Sequence, residues 1–508
     1  MADRRSSGSR GPRSLSGARR PPAPRGKKRR RSGGAEAAPD RPVRVVVLAA
    51  GVGSRMLSTV PKVLHRVGGR TLLEAVLDAA EPLSPSRVVV VLGAGRERVE
   101  AALAGRSVAF ARQDPPLGTG DAVRQALPSL GEEDGPILVL SGDTPLLQSG
   151  TLTELVERQR RGNLDLALLS FRPPEPGEFG RVVRDAGGRV RRIVEAKNAA
   201  ARERKIAEVN AGVYCFAAGA LREAVAKLTV DAVSGEYYLT DAVEILVRAG
   251  GRVEAVVAED WREAWGVNTR RDLAAAEEIE HRRRLERALD AGATIVDPAT
   301  TRLGPRVRLE PDAVLHPFVC LEGETSVGEG AEVLSFTRIV NSTLDAGALV
   351  GPHCELDGAR VGARSRVGPF ARMRPGSIVE QDVRVGNFVE TKNTILHDGV
   401  KAQHLAYLGD AEVGARSNIG AGVITCNYDG SKKHRTTIGE GVFVGSDAQL
   451  VAPVTVGRGA YVGAGATITE DVPEGALALS RVPQTNVEGW VERRKAKQAQ
   501  AHSAEKKA

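Results

Sequence analysis

At 508 residues, with aromatics at 4% and glycine at 57 positions, the chain is too long for one core and reads as two folded domains rich in tight turns. Its net charge of +9 looks like that of a nucleic-acid binder, yet residues 1–40 hold 12 Lys+Arg against 3 Asp+Glu, and the remainder balances at 60 and 60. Four cysteines without a C-x-x-C pair speak against a zinc site or a disulfide framework, and no stretch approaches the roughly 18 apolar residues of a membrane span.

Residues 1–40 are expected to be a disordered basic tail, since Arg4-Arg5 and Lys27 to Arg31 sit among Pro, Gly and Ser with few apolar residues to order them. A nucleic-acid or anionic-surface arm is the functional alternative to a solvated extension, and it lacks interleaved aromatics for base stacking. A signal peptide does not fit either, because the only apolar run behind the basic stretch, Val45 to Ala50, is short. A cytoplasmic protein is expected.

Val45 to Leu48 is an unbroken aliphatic run, typical of a strand buried on both faces of a parallel sheet. Ala49-Ala50-Gly51-Val52-Gly53-Ser54-Arg55 follows as a Gly-rich turn that reads as leading into a helix start, and Pro61-Lys62 offers a cation beyond it. Such a turn brings backbone N–H groups to an anion. It is neither a Walker A loop nor G-x-G-x-x-G, since Met56 stands where the third glycine belongs. The full run L-A-A-G-x-G-S-R-M with P-K resembles the signature of the sugar-1-phosphate nucleotidyltransferases.

Apolar runs at 88–92, 137–140 and 166–169 alternate with helical stretches such as 71–80 and 151–161, so residues 41–269 are expected to form an α/β domain with a mainly parallel sheet. Ligands bind at the carboxyl ends of such strands. There stand Gln113 and Leu117-Gly118-Thr119-Gly120, then Ser141-Gly142-Asp143; an Asp at that place suits a magnesium ion, which takes one or two carboxylates and keeps its waters. Gly180, Glu195, Asn210, the run Gly235 to Asp241 and Asn268 follow in order. Together these motifs resemble the uridylyltransferase half of the bacterial family of bifunctional N-acetylglucosamine-1-phosphate uridyltransferases/glucosamine-1-phosphate acetyltransferases. The resemblance implies a Rossmann-like domain in which Leu48, Ala49, Ala50, Gly51, Gln113, Gly118, Thr119, Ser141 and Gly142 hold the uridine nucleotide. It places Arg55 and Lys62 on the phosphates as catalytic cations, Gly180, Glu195 and Asn210 on the sugar, and Mg²⁺ on Asp143 and Asn268. Ser141 stands where an aromatic is common in the family, and Ser54 where Thr is common.

Residues 270–291 are expected to be an exposed linker helix ending before Gly292. From Val327-Gly328 onward, aliphatic-Gly pairs recur at spacings of 6, 12 or 18, with one of 19 between Ile419 and Ile438. A six-residue period with one inward aliphatic reads as a parallel β-helix over residues 292–490. It resembles the left-handed hexapeptide-repeat acyltransferases, which are usually trimers with sites between subunits. Residues 491–508 form a basic polar tail.

The repeat loses its pattern at Asn387 to Lys392, at 397–410 and at Cys426 to Lys433, and these breaks are expected to be insertions on a binding face. His404 is the candidate general base for acetyl transfer, with Glu390 orienting its imidazole. By resemblance, Arg374, Lys392, Tyr407, Asn418, Asn427 and Tyr428 bind glucosamine-1-phosphate. Ala421, Ser446, Ala464 and Arg481, with Asn427 and Tyr428, line the acetyl-CoA site. UTP and acetyl-CoA are thus the expected co-substrates of a homotrimer without a membrane partner. Three rivals stand beside this reading: a nucleotidyltransferase whose β-helix is only a scaffold, a nucleic-acid-associated protein acting through its tail, and an enzyme for another nucleotide or sugar.

Overall fold

The computed structural model describes residues 41–51 and 53–505; the expected basic tail at 1–40 lies outside the described residues. The first half runs through β1 (Arg44–Ala49), the hairpin β2 (Arg66–Val67) and β3 (Arg70–Thr71), α1 (Leu72–Ala80), β4 (Arg87–Leu92), α2 (Arg96–Ala102), β5 (Ala109–Arg112), α3 (Thr119–Leu130) and β6 (Pro136–Ser141). It continues through α4 (Ser149–Gly162), β7 (Leu166–Phe171), β8 (Arg181–Arg184), β9 (Val190–Val194), β10 (Val209–Ala217), α5 (Ala218–Ala226), α6 (Asp241–Arg248) and β11 (Val253–Val257). The sheet order is β11-β7-β10-β6-β1-β4-β5. Val45, Val46 and Val47 are fully buried because helices cover both faces, as a continuous aliphatic run requires.

Parallel pairing holds through β6-β1-β4-β5 and for β11 on β7. β10 breaks the rule, running antiparallel to both β6 and β7 with a register shift between Asn210 and Tyr214. The helix start expected after Gly53 is also corrected. Ser54–Met56 is a single 3₁₀ turn, with Gly53 and Leu57 both left-handed. Thr59, Val60 and Pro61 follow, and β-branched residues and proline do not extend a helix.

The expected exposed linker is α7 (Arg270–Asp290), opened by a Thr269–Asp272 capping box and closed by Gly292 in a left-handed conformation. One side of it is not exposed: Ala276, His281 and Leu285 are buried. Its side chains tie the two halves together, Arg283 donating to the Leu146 carbonyl at 2.8 Å and Arg284 to the Leu303 carbonyl at 3.1 Å. His281 Nε2 lies 3.0 Å from the Thr301 carbonyl, and burial holds its imidazole below the ordinary range.

Beyond α7 the chain winds a left-handed parallel β-helix with three faces. The first face runs from Thr294–Ile295 to Leu477–Ala478, the second from Arg302–Leu303 to Thr467–Ile468, and the third from Arg308–Leu309 to Val454–Val456. The ladder begins well before Val327, because Ile295, Leu303, Leu315 and Leu321 already point inward without the Val-Gly signature. Two expected insertions are not insertions. Leu396 pairs with Val413 and Lys401 with Asn418, the same step along the chain that Leu344 takes to Val361, so 387–410 follows the ordinary coil and only its outward side chains change. Ala411 pairs with Thr436, a clearly longer step, and there the chain does bulge.

At the corner between the first and second faces, Phe318, Phe336, His353, Phe370 and Phe388 adopt positive φ and stack ring on ring, with centroids 4.8–5.4 Å apart. The end read as a polar tail holds α8 (Trp490–Glu505), whose exposed Trp490 has the Arg494 guanidinium 5.0 Å from its ring centroid.

The space around two glycines, one in a coil and one in a helix, predicts substitutions of opposite sign. A Cβ on Gly414 would lie 2.5 Å from backbone atoms of the next coil, so Gly414→Ala should cost about 2 kcal/mol. Gly219 in α5 faces open space, so Gly219→Ala should gain about 0.5 kcal/mol. Denaturant unfolding of the two variants against the parent measures both.

Candidate active sites

The carboxyl ends of β1, β5 and β6 meet at one edge of the sheet. Leu48 accepts from the Gly142 amide at 2.9 Å, which joins the Leu48–Gly51 turn to Ser141-Gly142-Asp143. Gly53, with φ +66°, makes the approach of Lys62 possible, since a Cβ there would stand 2.6 Å from Lys62 Cβ. The turn therefore works by admitting a cation rather than by presenting a helix terminus.

Lys62 Nζ donates to Asp143 and, at 2.9 Å, to Asn268 Oδ1; Arg55 donates to the same Asn268 oxygen at 3.0 Å. These four side chains come from three distant stretches. Asn268 reaches the site because it immediately precedes the cap of α7, with its own amide donating to Asp272 at 2.9 Å. Asp143 and Asn268 thus present oxygens that already converge on one cation, the Lys62 ammonium. Such hard oxygen donors fit a divalent cation. No group of three or more His, Cys, Asp or Glu suited to a metal occurs among the described residues, so a metal held here would take its remaining ligands from substrate and water.

Gln113 is buried, and its Nε2 donates to the Gly118 carbonyl at 2.8 Å and to Asp121 at 2.9 Å. Gly118 has φ +97°, and a Cβ there would lie 2.6 Å from the Tyr237 carbonyl. The 117–119 loop is zipped to 237–239: Tyr237 donates to the Leu117 carbonyl, and the Leu239 amide to Thr119 Oγ1 at 3.0 Å. Thr240 then donates to Glu195 at 2.9 Å. Gly180, Glu195 and Asn210 are brought together too, Asn210 donating its amide to the Gly180 carbonyl at 2.8 Å while its side chain donates to the Tyr214 hydroxyl at 2.7 Å. Next to Glu195, burial and then the neighbouring charges of Glu195, Asp231 and Glu244 push the Asp241 carboxyl up to about 6.

On the β-helix, His404 ends a strand of the first face and lies in register with Asn387, whose Oδ1 is 3.1 Å from His404 Nδ1. The expected contact with Glu390 is corrected. Glu390 stands in register with Arg372 and Tyr407 on the second face and accepts from Arg374 at 2.9 Å. One coil past His404 the Gly422 amide bonds the Leu405 carbonyl, and Ala421, Ser446 and Ala464 succeed one another down that corner. Arg481 reaches the same column, its guanidinium 3.6 Å from a Cβ placed on Gly463.

Arg374, Lys392, Asn427 and Tyr428 gather at the opposite edge of the second face, with Tyr407 between the two edges. A Cβ on Gly409 would meet both the Tyr407 hydroxyl, at 2.5 Å, and Asn427 Nδ2, at 2.8 Å. Lys433, then burial and Arg374, hold the Lys392 ammonium below its ordinary range, with the Asp410 carboxylate opposing them only in part. Asn418 stands apart from them on the first face, in register with Lys401 and Phe443. The 427–434 loop is braced by Asp429, whose carboxyl the Lys432 amide, His434 and the Ser431 amide pull down to about 2.

Sequence reasoning missed Asn387, Asp121, Thr240 and Lys433. Lys433 was visible as part of a Lys-Lys pair in an irregular stretch, and Thr240 within the run that ends at Asp241. Asn387 stood only as the first residue of a break in the repeat, without a role, and Asp121 carried no signal without the loop geometry.

A family model of MobA-like NTP transferase domains matches residues 45–291, and one of bacterial transferase hexapeptides (six repeats) matches 435–470. A bifunctional protein GlmU from Cupriavidus pinatubonensis is 48% identical over 447 residues, covering 88% of this chain and 98% of the relative. Another, from Sorangium cellulosum, is 48% identical over 463 residues, covering 90% of this chain and 97% of the relative. A third, from Streptomyces avermitilis, is 47% identical over 469 residues, covering 92% and 97%.

Asp241 yields a stability prediction. With its folded pKa raised from 3.8 to about 6, the native state binds the extra proton between those values, and stability is lost as pH rises through that window. Asp241→Asn should therefore stabilise the protein by about 1 kcal/mol above pH 6, after allowance for solvent screening, and by nothing below pH 4. Thermal unfolding at pH 4 and pH 7.5 checks the sign.

Proposed function

The chain belongs to the family of bifunctional GlmU proteins, and from that premise we propose how its two sites divide the synthesis of UDP-N-acetylglucosamine. The C-terminal half transfers acetyl from acetyl-CoA to glucosamine-1-phosphate. The N-terminal half then transfers uridylyl from UTP to the N-acetylglucosamine-1-phosphate so formed and releases pyrophosphate. The observation that carries the reading is the presence in one chain of the Arg55–Lys62–Asp143–Asn268 cluster and the His404 column.

In the N-terminal site a phosphate oxygen of the sugar attacks the α-phosphorus of UTP. The bond from that phosphorus to pyrophosphate breaks, and its electron pair leaves with pyrophosphate. Lys62 and Arg55 hold the phosphate oxygens in line, so positioning and charge neutralisation supply most of the rate and no strong base is needed. A divalent cation, Mg²⁺ in this reading, held by Asp143 and Asn268, adds further neutralisation of phosphate charge. Leu48 to Gly51, Gln113, Gly118, Thr119, Ser141 and Gly142 hold the nucleotide, and Gly180, Glu195 and Asn210 the sugar.

In the C-terminal site the crowding of Arg374, Lys392 and Lys433 prepares a place for the sugar phosphate. Asn387 Oδ1 accepts from His404 Nδ1, which leaves the Nε2 lone pair as the base. It takes a proton from the glucosamine amine as the nitrogen attacks the thioester carbonyl, and the C–S bond breaks to release the thiol. Ala421, Ser446, Ala464 and Arg481 line the path of acetyl-CoA. His404 and the cation cluster occupy neighbouring corners of a convex prism, and a pocket between them closes when a second chain packs alongside. That favours a homotrimer with sites between subunits, with Asn418, Asn427 and Tyr428 meeting substrate across the interface. UTP and acetyl-CoA as co-substrates place the protein in the cytoplasm. No helix among the described residues is long and apolar enough to cross a membrane.

The test supplies glucosamine-1-phosphate, acetyl-CoA, UTP and Mg²⁺ while free thiol and pyrophosphate are followed separately. Both should appear, with pyrophosphate depending on acetylation; pyrophosphate from ready-made N-acetylglucosamine-1-phosphate alone would reduce the β-helix to a scaffold. His404→Ala should abolish thiol release yet spare pyrophosphate release when N-acetylglucosamine-1-phosphate is supplied ready-made, and Asp143→Ala should abolish pyrophosphate release while sparing thiol release. Asn387→Ala should lower acetyl transfer about tenfold. Glu390→Gln should instead raise KM for glucosamine-1-phosphate with the pH profile unmoved.

A further inference from the structure

We propose that Asp121 sets the choice of pyrimidine by fixing which end of the Gln113 carboxamide faces the nucleotide. The inference rests on the reading of Gln113 as a base-binding residue and adds to it the group that orients it.

Gln113 and Asp121 are 4% and 5% exposed. The two groups on the inner side of the Gln113 amide are the Gly118 carbonyl, at 2.8 Å, and the Asp121 carboxylate, at 2.9 Å. Both are acceptors, so only the NH₂ end can face them, and both of its protons are used there. A flipped amide would set its oxygen against two other oxygens inside a buried site, where an unmade hydrogen bond is costly. Oε1 has no hydrogen-bond partner among the described residues, yet it is not among the buried, unsatisfied atoms, so it stays accessible. Gln113 lines a cavity of about 270 Å³ together with Ala50, Gly93, Arg112 and Pro116.

Asp121 is itself held. Its second oxygen accepts from Gln125 at 3.3 Å and lies 3.8 Å from Arg124, whose guanidinium stacks 4.5 Å from the Tyr237 ring centroid. The carboxylate is therefore locked from one side by α3 and presents a fixed acceptor to Gln113 on the other. The consequence is a fixed acceptor, Oε1, toward the base. Uracil offers an N3–H donor to it, whereas cytosine has an unprotonated N3 and would set acceptor against acceptor. An acidic residue that never touches the nucleotide thus makes the site read the protonation pattern of the ring. Asp121 is a positioning residue in this scheme.

The experiment compares kcat/KM for UTP and CTP in the full chain, with N-acetylglucosamine-1-phosphate supplied and pyrophosphate measured. Asp121→Leu, which leaves the Gly118 carbonyl as the one acceptor holding the NH₂ end, should lower the UTP/CTP ratio by about tenfold or more. Asp121→Asn keeps an acceptor oxygen and should hold the ratio within about threefold of the parent. An unchanged ratio in Asp121→Leu, or a parallel loss of both substrates in both variants, would overturn the proposal. Should Asp121→Leu not fold, Asp121→Ser, whose hydroxyl is too short to span to Nε2, gives the same readout. In the parent protein, 3-methyluridine triphosphate, which lacks the N3–H, separates the two levels of the argument. Its rejection with an unchanged Asp121→Leu ratio removes Asp121 alone, whereas its acceptance at the UTP rate removes the reading of Gln113 and the proposal with it.

Discussion

Register between successive coils is the constraint on which the C-terminal half depends. Each strand finds its hydrogen-bonding partner one full coil further on, so a position on one coil lies directly over its equivalent on the next. Side chains that share a corner are forced into columns whatever their chemistry. The stacked rings from Phe318 to Phe388 and the succession His404, Ala421, Ser446 and Ala464 are two stretches of the same corner. The fold thus turns a one-dimensional period into a linear track, and a long thin substrate such as an acyl-CoA fits a track. Polar residues that face inward contribute to the same order. Thr391 bonds Ser377, and Thr425 bonds Gly409, so these two buried hydroxyls are satisfied by the coils they join.

The N-terminal half works by convergence. Its parallel strands deliver their carboxyl ends to one edge, and Arg55, Lys62, Asp143 and Asn268 arrive there from turns rather than from strands. Lys62 is admitted by the missing side chain of Gly53, and Asn268 is delivered by the cap of α7. The same helix that places Asn268 goes on to bury His281 and Leu285 and to donate to the Leu303 carbonyl. One element therefore finishes the first site and starts the second domain.

Much of this was legible in the chain, for reasons that particular residues make clear. Val45 to Leu48 could only be a strand buried on both faces, and the aliphatic-Gly period could not be helical. The reversed direction of β10 was not legible, because a local apolar run is the same in either direction and only its neighbours decide. In the early coils Ile295 and Leu315 keep the inward aliphatic without a following glycine, so the six-residue period is fainter there than beyond Val327. The stretch 397–410 looked like an insertion because its outward residues change character while the coil length does not. Asn387 rather than Glu390 touches His404 because the register between coils decides the contact, and composition does not reveal that register. Asp121 resembled an ordinary acidic residue in the first turn of a helix, and its bond to Gln113 depends on how the 113–118 loop folds back.

The one true bulge in the solenoid has a bearing on how such a protein acquires chemistry. The coil that carries Asn427 to Arg435 takes a longer path to come round, yet Ala411 to Val413 still meets Thr436 to Ile438 strand for strand, and the coils on either side keep their spacing. The extra length is confined to a single corner and braced within itself by Asp429. Length can therefore be added to a working surface without renegotiating the frame beneath it. In evolutionary terms the corner behaves as a free parameter. Substrate contacts can be drafted, lengthened and revised there by local duplication or slippage, while selection on the coils themselves stays blind to the change.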